Sequence, residues 1–183
     1  MTLFQRLAEL PPTIRWYRSK LWTDLVLRRA FAHIGAGSVV VTPDKLRGVD
    51  RISIGRNTSV LERTWMACED GASTITIGDN SSVGRDCHIH AASDITIGDD
   101  VQIGPATVII SAAKDKDDRL EVVALGPITI GDGVWIGERV SIIGGVTVGD
   151  KATIGAASVV THDVPPGEVV AGVPARPVAR ETS

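Results

Sequence analysis

IGDGVWIGERVSIIGGVTVGDKATIGAASVVTHDV, residues 130–164, carries an apolar residue at every sixth position. The series is Ile130, Ile136, Ile142, Val148, Ile154 and Val160, with glycine following at 131, 137, 149 and 155. Four places after each apolar residue comes a small or β-branched one, from Val134 and Val140 through Ala152 and Ser158 to Val164. A period of six is neither the helical 3.6 nor plain alternation. It describes a chain that turns a corner every six residues, so that three segments close one triangular coil of eighteen. The apolar residue fills the interior and the small one fits near a corner. The pattern predicts a parallel β-helix, a solenoid in which each coil buries its apolar face on its neighbours.

The repeat runs backwards with breaks. Ile97, Ile103 and Ile109 form an earlier coil, Ile77, Val83 and Ile89 the one before it, and Ile54 and Val60 a looser one. Ile77 to Ile97 is twenty residues, so two are inserted, expected near Asp94 to Thr96. Ile97 to Ile130 is thirty-three, so fifteen are inserted, and these are AAKDKDDRLEVVALG, residues 112–126. A coil cannot hold them inside, so they must protrude as a loop, the part of a repeat scaffold that usually carries function. The register stacks Ile89 under Ile109, and Ile109 under Ile142.

Residues 1–33 lack the hexad and read as a helical cap or arm. Leu3, Phe4, Leu7 and Leu10 suit a short helix ended by Pro11 and Pro12, and residues 13–32 a second helix. Six basic and two acidic residues give segment 1–32 a charge of +4, so a chain of net charge −3 leaves −7 elsewhere. Three roles are open for it: a cover for the prism end, an arm onto a neighbouring chain, or a basic amphipathic contact with an anionic membrane. The prism itself is expected over 34–164. From Pro165 the two prolines should take the chain out of the sheet as an extension over 165–183.

The near-neutral charge carries no nucleic-acid footprint. Cys68 and Cys87 have no metal-ligand spacing and read as free thiols of a reducing, cytoplasmic compartment. No signal peptide and no bilayer-spanning stretch is expected.

The segment from Ile128 to Arg176, with its WIG, GAAS, VVTHDVPP and GVPAR strings in order, strongly resembles the hexapeptide-repeat acyltransferases, nearest to maltose, galactoside and polysaccharide O-acetyltransferases. The resemblance implies an all-β, left-handed parallel β-helix, a homotrimer, and acetyl-CoA or another acyl-CoA in the cleft between neighbouring prisms. It implies cofactor contacts at Trp135 beside the thiol end, at Ala156 along pantetheine, and at Thr161, His162 and Arg176 near the phosphates or adenine. His162 stands where relatives often have Lys, and a mostly neutral imidazole is a weaker phosphate partner. A saccharide hydroxyl is the implied acceptor.

Acyl transfer to a hydroxyl needs a base, which an imidazole supplies best. Relatives carry that His at the start of the protruding loop. Here the loop opens ISAAKDKDDR, with Ala112, Ala113 or Lys114 at the expected place. His90 and His88 flank inward-facing Ile89 and therefore point outward together. His90 should lie about one strand spacing, ~4.8 Å, below Ile110, beneath the loop root. His90 is thus the first candidate base and His88 the second. A weaker likeness to γ-class carbonic anhydrases lacks a third suitably placed His, so no metal is expected. Three readings follow: an O-acyltransferase using His90 or His88, an N-acyltransferase needing no strong base, and a degenerate scaffold subunit without turnover.

Overall fold

The computed structural model describes residues 13–69, 71–118 and 120–178. The helix expected over residues 3–10 lies outside the described residues. The remainder is a triangular parallel β-helix with one sheet on each wall. The first wall runs through His33–Ile34, Ile52–Ile54, Ile75–Ile77, Ile95–Ile97, Ile128–Ile130 and Thr147–Val148. The second includes Ser82–Val83, Gln102–Ile103, Trp135–Ile136 and Thr153–Ile154. The third includes Lys45–Arg47, Trp65–Cys68, His88–Ala91, Val108–Ile110, Ser141–Ile143 and Val159–Val160.

The hexad residues point inward and stack in register. Ile89 pairs with Ile109 and Ile109 with Ile142, each fully buried. Ile77, Ile97 and Ile130 form the matching column of the first wall. Burying one such side chain contributes about 1.5–3 kcal/mol. Val134, Val140, Ala152 and Ser158 are buried too, at the strand entries where larger groups would not fit.

The corners explain why glycine and aspartate follow the isoleucines. Asp79, Asp99, Asp132 and Asp150 form a column in which each Oδ1 accepts the backbone N–H of the residue at the same corner one coil earlier, at 2.6–3.0 Å. These bonds satisfy corner amides that no strand can reach. Glycine makes room for them: a Cβ at Gly78 would lie 2.3 Å from Asp99 Oδ1.

Slack is taken up between strands. The two-residue insertion emerges at the bend over Ala92 and Ser93, ahead of the expected 94–96, because Ile95–Ile97 keeps its full ladder with Ile75–Ile77. Buried Ser111 holds that bend: its Oγ accepts from Ala92 N and Ser93 N and donates to Ser93 O. The fifteen-residue insertion leaves the prism at the same place and folds back as a hairpin, Ala112–Lys114 against Val122–Ala124.

The helix α1, Thr13–Trp22, continues through a π-helical turn, Thr23–Leu27, and a last helical turn, Arg28–Ala30. Leu27 and Phe31 enter the core cluster, and the Thr23 hydroxyl accepts the Val40 N–H, so this segment covers the prism's first coil. At the other end the expectation is corrected. Pro165 and Pro166 occupy a corner, where no ladder N–H is required, and the chain then re-enters the second wall. Val169–Ala171 pairs parallel with Thr153–Ile154, and Arg176–Pro177 turns back on it. The sheet likewise begins one residue early, at His33.

Candidate functional site

Two features stand out on the walls. The first is a groove along the second wall and its following corner, lined by Gln102, Pro105, Trp135, Gly137, Glu138 and Ala156. Trp135 is half exposed, at 51%. It is stacked by register between Gln102 and Thr153. The corner beyond it is shallow because Gly137 lacks a side chain: a Cβ there would sit 2.6 Å from Ala156 N. The next corner residue, Ala157, adopts a left-handed φ of 58°. A flat exposed indole beside closely packed backbone can accept a long, thin, partly apolar molecule lying against the wall.

The second feature is on the outer face of the third wall. Lys45, Trp65 and His88 form one column, and Arg47, Ala67, His90 and Ile110 the next. Trp65 and His88 stack with ring centroids 3.9 Å apart and planes within 12°. Lys45 Nζ covers the indole at 4.7 Å from its centroid. His88 Nε2 and Trp65 Nε1 are buried with no hydrogen-bond partner among the described residues. Burial is the main cause holding the His88 imidazole below its ordinary pKa, with His90 and Lys45 adding to it.

His90 stacks against the same rings but is bonded differently. Its Nε2 lies 2.5 Å from Glu69 Oε1, and Glu69 Oε2 is 3.3 Å from Arg47 Nη1. Both His90 and Glu69 are largely shielded, with side-chain exposures of 14% and 18%. In the neutral ring, a carboxylate on Nε2 favours the tautomer with its proton there, which puts the lone pair on Nδ1. His90 sits under Ile110, at the root of the hairpin, as its register required. The hairpin brings no imidazole of its own. Lys114 is exposed and its ammonium donates to Leu120 O at 3.3 Å.

The structure therefore joins Trp135 to Ala156, and His88 to His90. Arg176 lies on the last strand of the second wall, beyond Ala171, and donates to its neighbour's carbonyl, Ala175 O. Thr161 and His162 are placed around a different corner, past the third wall, with Thr161 Oγ1 2.9 Å from His162 Nδ1. Glu69, Arg47 and Trp65 were missed in the sequence. The signal for them was register: the coil before Ile89 is twenty-three residues long, not eighteen, as the pairing of Met66 with Ile89 records.

Residues 127–162 match the model of the bacterial transferase hexapeptide (six repeats) family. Galactoside O-acetyltransferase of Escherichia coli is 43% identical over 113 residues, which is 60% of this chain and 55% of that protein. Nodulation protein L of Rhizobium meliloti is 37% identical over 155 residues, 83% of this chain and 72% of that protein. A hexapeptide-repeat-containing acetyltransferase of Vibrio cholerae, crystallised with acetyl coenzyme A, is 30% identical. It superposes with a TM-score of 0.59 over 93% of this chain and 87% of that one. The chain spans about half the length of the curated relatives it matches first, from 43% to 59%.

Proposed function

This chain belongs to the hexapeptide-repeat acyltransferase family, and on that premise we propose that it moves an acetyl group from acetyl-CoA to a hydroxyl of a saccharide or polysaccharide precursor. The observation that carries this reading is the His90–Glu69 contact, a shielded imidazole oriented by a carboxylate beneath the loop root. It supplies the base that the loop itself lacks. The groove of Trp135, Gly137 and Ala156 fits the cofactor's thiol arm, and Arg176 at the end of the same wall suits a phosphate. Thr161 and His162 are left for the outer part of the cofactor.

When bound, acyl-CoA supplies the activated thioester. His90 Nδ1 takes the acceptor hydroxyl's proton as the oxygen attacks, then returns it to the departing thiol sulfur. Glu69 holds the ring and stabilises the imidazolium between those two events, as a carboxylate does for histidine in other acyl transfers.

Trp135 and His90 stand on different walls of one prism. A single copy therefore does not bring cofactor and base together. A homotrimer of prisms, packed wall to wall, would set the third wall of one copy against the second wall of the next, and the exposed indole of Trp135 supports such a contact. The prism body, 33–177, is then the trimerising and catalytic unit, with the helical segment 13–30 as its cap.

The test is a titration with acetyl-CoA followed by an assay of thiol release with saccharide acceptors. Binding that stabilises the native chain, and turnover that falls ~10²–10⁴-fold in His90→Ala, is the expected result. Undiminished turnover in that variant would reassign the base. Turnover with amino sugars alone would favour N-acyl transfer, and binding without turnover a scaffold role.

A further inference from the structure

The capping helix has two unlike sides. Ser19, Thr23 and Leu27 face the prism, at 5%, 0% and 6% exposure. The opposite side carries Ile14, Tyr17, Leu21, Trp22 and Leu25, which are 55–76% exposed. On a helix these positions follow one another at three- and four-residue steps, so they form one continuous apolar strip along α1 and the turn after it. A groove lies against the strip, lined by Ile14, Leu21, Trp22, Leu25 and Val26 together with Arg15 and Arg18. Scattered exposed apolar residues need no explanation, but a contiguous strip of this size does.

The charges beside the strip identify what fits it. Residues 13–32 carry Arg15, Arg18, Lys20, Arg28 and Arg29 against one acid, Asp24. Asp24 is taken up within the helix by Lys20 and Arg28, each at 2.8 Å. Its carboxyl is accordingly held below the ordinary range, mainly by the Lys20 hydrogen bond. Arg18 makes no ion pair among the described residues, and Arg15 reaches only Glu62, at 3.7 Å, while more than half exposed. The end of the prism is thus cationic, on a chain whose other parts carry −7.

We propose that this face is a docking surface for an anionic lipid bilayer, with α1 lying in the plane of the headgroups. Tyr17 and Trp22 supply the amphipathic rings that favour the water–hydrocarbon boundary. Leu21, Leu25 and Ile14 enter the acyl region, and the arginines meet lipid phosphates. A second copy of the chain fits less well. A two-fold contact of this strip with itself would bring the two cationic helix faces together without any acidic partner on the strip. A bilayer offers negative charge and apolar depth together. No described helix is long and apolar enough to cross a membrane, so the contact is peripheral. This inference does not depend on the acyltransferase reading, since it uses none of the wall residues.

The experiment is co-sedimentation of the full chain with phosphatidylcholine vesicles, with and without phosphatidylserine, together with tryptophan emission. The expected result is sedimentation with the anionic vesicles, a blue shift from Trp22, and release by added salt. Leu21→Glu with Leu25→Glu should weaken partitioning by roughly tenfold or more at an unchanged melting temperature, since both side chains are exposed in the native fold. Arg18→Glu should weaken it on anionic vesicles alone. Absence of sedimentation with either vesicle would overturn the proposal. So would equal binding by the double glutamate variant, or a strip that mediates self-association and is lost to lipid.

Discussion

His90 Nε2 meets Glu69 Oε1 at 2.5 Å, although the two residues belong to successive coils and lie twenty-one positions apart. Neither carries a sequence motif. The contact exists because parallel pairing of Trp65–Cys68 with His88–Ala91 brings the end of one strand beside the middle of the next. In the proposed mechanism Glu69 is a positioning residue for the imidazole. Glu69→Gln should lower turnover on the order of 10-fold to 100-fold. It should also alter the pH–rate profile and leave acetyl-CoA affinity unchanged. A purely structural carboxylate would lower the melting temperature without moving the profile.

Copies damaged on different walls should complement one another. His90→Ala and Trp135→Ala chains, each expected to be nearly inactive alone, should regain activity when co-refolded, because in the proposed trimer a mixed assembly would contain junctions where an intact His90 faces an intact Trp135. Continued inactivity of the mixture, with mixed oligomers demonstrated by mass, would place the whole site on one chain.

Gly137→Ala should damage both fold and site. The new Cβ would meet Ala156 N at 2.6 Å, a backbone atom that cannot turn aside. A loss of about 1–3 kcal/mol follows, or several degrees in melting temperature. Acetyl-CoA binding should weaken in parallel. Calorimetry of the variant with and without cofactor separates the two effects.

Stability should fall on the acid side because of His88. Its imidazole titrates below the ordinary value of 6.5 in the fold, chiefly through burial. Between the folded value and 6.5 the unfolded chain binds more protons, so stability declines as pH drops through 6.5 towards the folded value. His88→Gln should flatten that part of the stability–pH curve measured by denaturant unfolding. An unchanged slope would show that His88 is not the responsible group.

The two thiols should be silent in the native state. Cys68 and Cys87 are both buried, and burial pushes the Cys87 thiol up to about 11. Neither should react with a thiol-specific reagent near pH 8 until the chain unfolds, when both should. Reaction of the folded protein at the rate of a free thiol would contradict the packing of the coil interior.

Much of this molecule is legible in its sequence. A hexad with inward isoleucines admits one repeating geometry, because a triangular coil is what returns residue 89 under 109 and 109 under 142. The protruding hairpin followed from the count of residues that the coils could not hold. The outward direction of His88 and His90 followed from Ile89 pointing in. The re-entry of the chain after Pro165 did not follow, because a proline pair reads as an exit unless the corner it occupies is known.

What the sequence determined by itself was the periodic part, since a repeat encodes each contact in the spacing between its own copies. What only the tertiary structure decided was which unlike residues meet where that spacing breaks. Glu69 reaches His90 because it follows the strand that pairs with His88–Ala91, and the exposed strip of α1 is defined by which side Thr23 and Leu27 turn to the prism. Spacing records that a coil is long but not which side chains its extra residues bring together, and the rotation of the helix is set by packing across the fold.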